Sequence, residues 1–244
     1  MVGDAVAYLR DGSNWSGADG IVAQLGQQLL LTVTALLIAM LAGLPLALWL
    51  GHLGRGGFLA INISNVGRAV PTFAVLVLLS TGPDWGTDTL GPYGRAGLAT
   101  LIALVLFALP PIITNAYVGV REVDRDIVEA ARGMGMAERQ VFTEVELPLA
   151  LPVVATGVRL ALVQVWATAT IAALVAGPGL GTIIVAGFYN GNYGKGLAGA
   201  IVVAVFALVL EGLAALAQRT LEPERRTRAR LAASQLKGDA ELVP

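Results

Sequence analysis

The chain has no cysteine, only one histidine and few charged side chains. Without cysteine, its 244 residues can form neither disulfides nor thiolate metal sites. Only 14% of the residues are charged and 56% are hydrophobic, so the chain cannot cover itself with the polar surface of a soluble domain. These proportions predict a protein of the lipid bilayer. His52 has no second histidine to help it bind a metal ion, and we expect a loop residue at the cytoplasmic edge.

The chain also lacks a nucleotide-binding loop. Residues 177–181 are rich in glycine, but no Lys-Ser or Lys-Thr pair follows them and no strand precedes them. Lys195 is followed by Gly196, so it completes no phosphate cradle either. We therefore expect no ATP site, cofactor or metal on this chain, which is not itself an enzyme. Any energy source must come from another subunit.

Long apolar runs dominate what the chain does have. A helix needs about 20 apolar residues to cross a bilayer. Five runs meet this length, at approximately residues 25–49, 58–80, 96–118, 151–175 and 197–216. Residues 180–189 are apolar but about half as long as a crossing, which favours a re-entrant or interfacial segment. The predicted fold class is an all-α integral membrane protein, a bundle of about five transmembrane helices.

The two ends of the chain are polar. Residues 1–24 carry acidic side chains and a short amphipathic piece at Val2–Arg10, which is typical of an extracytoplasmic lead-in rather than a basic secretory signal. Residues 25–218 form the predicted transmembrane domain. Residues 219–244 are rich in arginine and form a predicted cytoplasmic tail.

The positions of the basic residues predict the orientation. With five alternating spans and an amino terminus outside, only Arg10, Arg95 and Lys195 of the 16 lysines and arginines fall outside. The excess of basic residues on the other side places the carboxyl tail in the cytoplasm. Aromatic residues fall near the outer ends of the spans, where amphipathic rings favour the headgroup region: Trp15, Trp85, Tyr93, Phe188, Tyr189 and Tyr193.

Polar side chains interrupt the apolar runs. Such groups are costly in hydrocarbon and turn towards partners inside the bundle. They are candidates for lining a translocation path or, alternatively, for hydrogen bonding between packed helices: Asn62, Asn65, Asn115, Gln164 and Thr168. Glu211 lies in the last apolar run and must pair, become protonated or reach the interface.

One charged segment, residues 121–150, separates the apolar halves; we call it the charged loop. It contains Glu129-Ala130-Ala131 followed by glycines at 133 and 135, and it leads to two Leu-Pro pairs. We expect a short helix that ends at the double glycine and a second short helix that Pro148 and Pro152 stop. The charge distribution places this loop in the cytoplasm.

The spacing of these residues resembles the signature loop of the permease subunits of binding-protein-dependent ABC importers. Such a resemblance implies the type I importer permease fold with a cytoplasmic two-helix coupling loop that docks on an ATPase. The residues that match the motif or flank it, and so take the coupling role, are Glu129, Ala130, Ala131, Gly133, Gly135, Phe142, Leu147 and Pro148.

Physical chemistry accounts for several of these residue types. The alanines allow close helix approach, and Gly135 permits a backbone reversal that a Cβ would resist. Phe142 and Val145 form an apolar stripe for docking or for packing back on the bundle. Two roles are open for the Glu129 side chain. It contacts a basic residue of the ATPase, or it caps its own loop.

One position departs from the motif. Many relatives have Ser or Thr where this chain has Ala137, three residues before Gln140. A hydroxyl there would form a capping box for the second short helix. We expect that cap to be absent and the helix to begin less stably, without loss of function.

The resemblance also implies partners. They are two ABC ATPase subunits, which bind ATP and Mg, a second permease subunit as homodimer or paralogue heterodimer, an extracytoplasmic substrate-binding protein, and the lipid bilayer, with no nucleic acid. The binding protein would dock on the outer loops, where the aromatic candidates are Trp85, Tyr93, Tyr189 and Tyr193.

Further stretches are similar to the branch of these permeases that serves glycine betaine, choline, carnitine and proline. They are residues 68–72, 109–117, 129–152 and 177–181. The alternative within the family is a permease for methionine or another amino-acid-like solute. The rivals outside it are a structural membrane scaffold and an ion-coupled secondary transporter, for which Arg159 and Glu211 would be the coupling charges. No inverted repeat supports the transporter.

Overall fold

The computed structural model describes residues 1–58, 62, 69–81 and 92–220. Within these residues the regular structure is helical. The α-helices are α1 (Val2–Arg10), α2 (Ile21–His52), α3 (Thr72–Ser80), α4 (Arg95–Arg121), α5 (Arg125–Gly133), α6 (Glu138–Gln140), α7 (Leu147–Ile171), α8 (Gly181–Tyr189) and α9 (Tyr193–Thr220). A π-helical turn, Val141–Glu146, joins α6 to α7, and 3₁₀ turns lie at Gly12–Trp15 and Ala172–Val175.

Four helical stretches in the described part of the chain are long and apolar enough to cross a membrane. They are Ile21–His52, Ala96–Arg121, Glu138–Val175 and Tyr193–Thr220. These stretches confirm the first, third, fourth and fifth predicted spans. The second predicted span, 58–80, falls partly outside the described residues, and its last part forms α3. Helix α8 has nine residues and a length of about 14 Å, half of the hydrocarbon thickness, which agrees with the expectation of a short segment.

The core lies where α2, α4 and α7 meet. Each of these helices contributes three fully buried residues to one cluster: Leu31, Ala35, Ala39, Leu104, Ala108, Ile112, Ala161, Val165 and Ala169. Five of the nine are alanine. Small side chains let helix backbones approach closely, which is the main source of helix association in a lipid environment.

A ladder of small residues on α2 builds much of this contact. Every fourth residue from position 35 to position 51 is alanine or glycine, and all five are buried: Ala35, Ala39, Gly43, Ala47 and Gly51. A Cβ at Gly51 would lie 3.0 Å from Val120 Cβ on α4. The ladder therefore fixes both the distance and the rotation of α2 against α4.

The amino-terminal segment packs on the bundle. Its expected amphipathic piece is helical as α1, with Ala5 fully buried. A Cβ at Gly194 of α9 would lie only 2.6 Å from Asp4 Cβ, so α1 and α9 meet closely at that point. The Trp15 indole N–H donates to the Leu9 carbonyl at 2.8 Å, which fastens the turn after α1.

The prediction that Pro148 and Pro152 stop a second short helix is wrong. The chain is helical without interruption from Glu138 to Val175. Pro148 lies in the first turn of α7, directly after the π-helical turn, and Pro152 lies within α7. Spanning helices tolerate proline where local changes in hydrogen bonding compensate for the missing N–H, and the π-helical turn is such a change. The second part of the charged loop, from Glu138 onward, is consequently a continuous extension of a span.

The close approach of α4 and α7 gives a test of the packing. A Cβ at Gly157 would lie 2.6 Å from Asn115 Cβ and 2.7 Å from the Pro111 carbonyl oxygen. We expect Gly157→Ala to lower the free energy of unfolding by about 1–3 kcal/mol through overpacking. The measurement is unfolding of the purified protein in detergent. The matched control is Gly212→Ala on α9, where the added Cβ meets nothing within 4 Å and should be neutral or stabilising.

Candidate functional site

The first helix of the charged loop begins at a side-chain cap and has two different faces. The Asp124 carboxylate accepts a hydrogen bond from the Asp126 N–H at 3.0 Å, which caps α5. Val128 and Ala131 are buried against Val123 and Val141. The loop is thus packed on itself along one side of α5.

The face of α5 next to this packed side is exposed. Ile127 is 47% exposed and Met134 is 77% exposed, and Ala130 is exposed between them. These three residues follow the spacing of one helical face. They give α5 an exposed apolar stripe, and Glu129 is exposed on another side of the same helix.

A Schellman turn ends α5 and confirms the expected backbone reversal at Gly135. Gly135 has φ of +87°, the Gly135 N–H donates to the Arg132 carbonyl at 2.9 Å, and the Met136 N–H donates to the Ala131 carbonyl at 3.2 Å. This pair of bonds satisfies carbonyls at the helix end and requires a left-handed residue. Glycine adopts that conformation without the steric cost that a Cβ adds.

An ion pair and half of a capping box hold the start of α6. Arg132 donates to both carboxylate oxygens of Glu138, at 2.8 and 3.0 Å, and these bonds raise the pKa of the Arg132 guanidinium above its ordinary value. Ala137 supplies no hydroxyl cap, as expected. However, the Gln140 side-chain oxygen accepts from the Ala137 N–H at 2.9 Å. The expectation of no capping box is therefore only half right, because the glutamine side of the box is present.

His52 is not the loop residue that the sequence suggested. It is the last residue of α2, and its Nδ1 lies 2.5 Å from Glu146 Oε2 at the base of the charged loop. Glu146 is 1% exposed. The imidazole also meets the Phe142 ring edge to face, with centroids 5.2 Å apart. Sequence reasoning missed this pair, since 94 residues separate its members and no local pattern links them.

The coupling residues predicted from the sequence divide into an exposed and an inward set. Glu129, Ala130, Gly133, Gly135 and Pro148 are exposed, whereas Ala131 is buried and Phe142 and Leu147 are half-buried. Phe142 and Val145 contact the protein itself, at His52 and the loop core respectively. Docking of this stripe on an ATPase stays a prediction.

Within the apolar part, Arg159 of α7 and Glu211 of α9 form an ion pair. Arg159 Nε donates to Glu211 Oε1 at 2.7 Å, and a second guanidinium nitrogen donates to the same oxygen. Gln218 accepts from Arg159 at 3.2 Å and donates to the Thr156 hydroxyl at 2.9 Å. The four side chains line a groove of about 470 Å³. Of the three outcomes foreseen for Glu211, the structure shows pairing.

Sequence comparison shows the family of this chain. The profile of the family described as "Binding-protein-dependent transport system inner membrane component" matches residues 22–226. The chain belongs to this family. It is a multi-pass permease component of an ABC importer, as the motif in the charged loop indicated.

Curated relatives of the permease have similar lengths or are longer. The carnitine transport permease protein OpuCD of Listeria monocytogenes is 33% identical over 85% of this chain and 89% of its own. The osmoprotectant import permease protein OsmY of Salmonella typhimurium is 35% identical over 82% of this chain and 81% of its own. The glycine betaine/proline betaine permease ProW of Escherichia coli K12 is 30% identical over 81% of this chain and 53% of its own.

A solved structure shares the fold of the permease. An inward-facing structure of the MetNI methionine ABC transporter aligns with a TM-score of 0.66 at 20% identity, over 83% of this chain and 96% of that chain. This likeness supports the type I importer permease fold.

Two buried glutamines that sequence reasoning missed fasten the end of the permease opposite the charged loop. The Gln24 and Gln28 side-chain oxygens accept from the backbone N–H groups of Gly179 and Leu180, at 3.1 and 2.9 Å. Gln28 also donates to the Thr170 hydroxyl at 3.0 Å. These bonds tie the turn before α8 to both α2 and α7. The only available signal was the polarity of two residues, four apart, at the start of an apolar run.

The polar residues predicted to line a path are not brought together by the hydrogen bonds described. Asn62 and Asn115 each donate to a carbonyl four residues earlier, at Phe58 and Pro111. Thr168 is buried and Gln164 is exposed. Asn65 lies outside the described residues. Their role in translocation stays a prediction.

The aromatic residues predicted to dock a binding protein differ in exposure. Tyr189 is 89% exposed, and Tyr193 is 50% exposed with its ring edge to face against Phe188. Tyr93 is half-buried, and its hydroxyl lies 2.7 Å from the Thr34 hydroxyl. Trp85 lies outside the described residues. Docking at these side chains also stays a prediction.

The Schellman turn yields a paired test. We expect Gly135→Ala to destabilise the turn by about 1–2 kcal/mol because alanine is strained at positive φ. Gly133→Ala, two residues away and helical with open space around it, should be neutral or stabilising. Hydrogen exchange of the Gly135 and Met136 amides provides the measurement. Equal exchange rates in the two variants would contradict the requirement for glycine at position 135.

The Arg159–Glu211 pair predicts non-additive mutations. Arg159→Gln and Glu211→Gln should each lower the melting temperature, since each leaves one charge without its partner in an apolar region. The double variant should be more stable than the sum of the single losses predicts. The melting temperatures of the unmodified protein, the two single variants and the double variant are measured in detergent. Strict additivity would mean that the two charges do not stabilise each other.

Proposed function

We propose that this permease moves a small osmoprotectant of the glycine betaine, choline, carnitine or proline type across the cytoplasmic membrane. The cargo class is supported by the relatives, which include carnitine, choline and osmoprotectant permeases that are 32 to 35% identical. ATP hydrolysis takes place on a separate ATPase subunit, which binds ATP and Mg. The permease contributes the path and the alternating access.

The observation that carries the ATPase contact is the two-faced helix α5. Its inner face is packed, its ends are capped, and its outer face presents Ile127, Ala130 and Met134. An amphipathic helix that offers an apolar face to a partner groove is a common recognition mode. Glu129 is also exposed, on a different side of α5, and supplies a carboxylate for a basic residue of the ATPase.

The assembly that we propose contains two ATPase subunits, a second permease subunit and an extracytoplasmic binding protein. The charged loop and the carboxyl end face the cytoplasm, in line with the distribution of basic residues. The binding protein docks at the opposite end, where Tyr189 is exposed. Coupling then runs from α5 through the rest of the charged loop into α2 and α7.

Reconstituted transport tests this proposal. The permease, its ATPase and its binding protein are placed in proteoliposomes, and ATP-dependent uptake is measured for betaine, choline, carnitine, proline and methionine. We expect uptake of one or more osmoprotectants to require all components. Uptake of methionine alone would favour the other cargo class. Uptake driven by an ion gradient without ATP would contradict the importer mechanism.

A matched pair of variants tests the docking face. Met134→Asp introduces a charge into the apolar stripe of α5, and loss of a central interface anchor costs about 2 kcal/mol, or roughly 30-fold in affinity. We expect the ATPase to be lost from the purified complex. Val2→Asp adds the same charge at a similarly exposed site, 68% against 77%, on α1. It should leave the ATPase bound, and equal loss in both variants would refute docking on α5.

A further inference from the structure

The only histidine of the chain joins two segments that have different tasks. His52 ends α2, and Glu146 ends the π-helical turn that leads from the charged loop into α7. The 2.5 Å contact between His52 Nδ1 and Glu146 Oε2 therefore connects the end of the first span to the base of the loop. Few contacts could link the two more directly.

The burial of Glu146 shows that this contact is part of the packed structure. Its side chain is 1% exposed, and that of His52 is 16% exposed. A buried carboxylate is costly unless a partner compensates for its lost hydration. Removal of one partner from such a pair leaves the other buried and uncompensated. The position of the π-helical turn is thus tied to the presence of the imidazole.

A second carboxylate approaches the other nitrogen of the same ring. Glu138 Oε2 lies 3.7 Å from His52 Nε2, and Glu138 also accepts two hydrogen bonds from Arg132 of α5. The two carboxylates come from α6 and from the end of the π-helical turn. A continuous series of polar contacts therefore runs from α5 through Arg132 and Glu138 to His52 and Glu146.

An open apolar groove lies beside this contact. It has a volume of about 270 Å³, lies between the end of α2 and the charged loop, and is lined by Pro45, Leu48, Trp49, His52 and Phe142. Apolar side chains at an open surface have packing partners on one side only, so they do not lock one position of the π-helical turn. The polar contact supplies the fixed distance that apolar packing leaves open there.

We infer that His52 and Glu146 are a positioning pair, which holds the charged loop rigidly on the end of α2 so that displacement of α5 is passed to the first span. The inference rests on the proposed function, because the displacement comes from an ATPase docked on α5. Loss of the pair leaves the docking face intact and separates ATP hydrolysis from movement of the bundle.

Spin labels test the positioning without any partner. The natural chain has no cysteine, so Met134→Cys and Leu41→Cys introduce the only two labelling sites, and both positions are 77% exposed. Pulsed electron paramagnetic resonance then gives the distance distribution between the charged loop and α2 in the full chain. We expect a narrow distribution that His52→Ala or Glu146→Ala broadens.

The control and the rescue separate positioning from general damage. Glu144→Ala removes an exposed carboxylate from the same π-helical turn and should leave the distribution narrow. His52→Gln keeps an N–H donor and should restore much of the narrow distribution. A distribution that is unchanged in His52→Ala and Glu146→Ala overturns the inference, as does equal broadening in Glu144→Ala.

Uptake without the labels tests the coupling. In proteoliposomes with the ATPase and the binding protein, we expect Glu146→Ala to keep the ATPase bound but to lower uptake per ATP hydrolysed at least about fivefold, the lower end of typical coupling between sites. Unchanged uptake per ATP together with a broadened distribution overturns the inference. Absence of ATP-dependent uptake in the unmodified complex refutes the proposed function instead, while the label distances still decide whether the pair positions the loop.

Discussion

Backbone hydrogen bonding in a medium without water is the constraint on which this structure depends. Each N–H and C=O within hydrocarbon must find a partner in the protein, so the chain crosses as helices. The same constraint explains why Gln24 and Gln28 bond to the turn before α8. Side chains of α2 thus satisfy the irregular backbone of this turn.

Once the backbone N–H and C=O groups are hydrogen-bonded, small residues set the arrangement of the helices. Polar residues fix the two ends of the bundle. The alanine-rich core of α2, α4 and α7 provides close contact without specific chemistry. Among the polar contacts, glutamine amides fix one end, the Arg159–Glu211 pair joins α7 to α9, and the His52–Glu146 pair fixes the other end. Different interactions thus hold the middle of the bundle and its ends.

The sequence predicted those features that depend on residues close together in the chain. Apolar runs gave four of the spans because a crossing has a fixed length, and Gly135 followed from the spacing of its motif. The stop at Pro148 was wrong because this proline lies in the first turn of α7, directly after a π-helical turn, where its missing N–H is tolerated. His52–Glu146 and Gln28–Leu180 were missed, since their members are 94 and 152 residues apart and meet only through packing.

The small-residue ladder on α2 ends at Gly51, immediately before His52. Because an α-helix turns about 100° per residue, the ladder that seats α2 on α4 also sets the direction in which the imidazole points. A single inserted or deleted residue between Ala35 and Gly51 would keep the helix apolar yet rotate His52 away from Glu146. The number of residues in this part of α2 is therefore as constrained as their identity, whereas exposed positions such as Leu41 are free to vary among apolar residues.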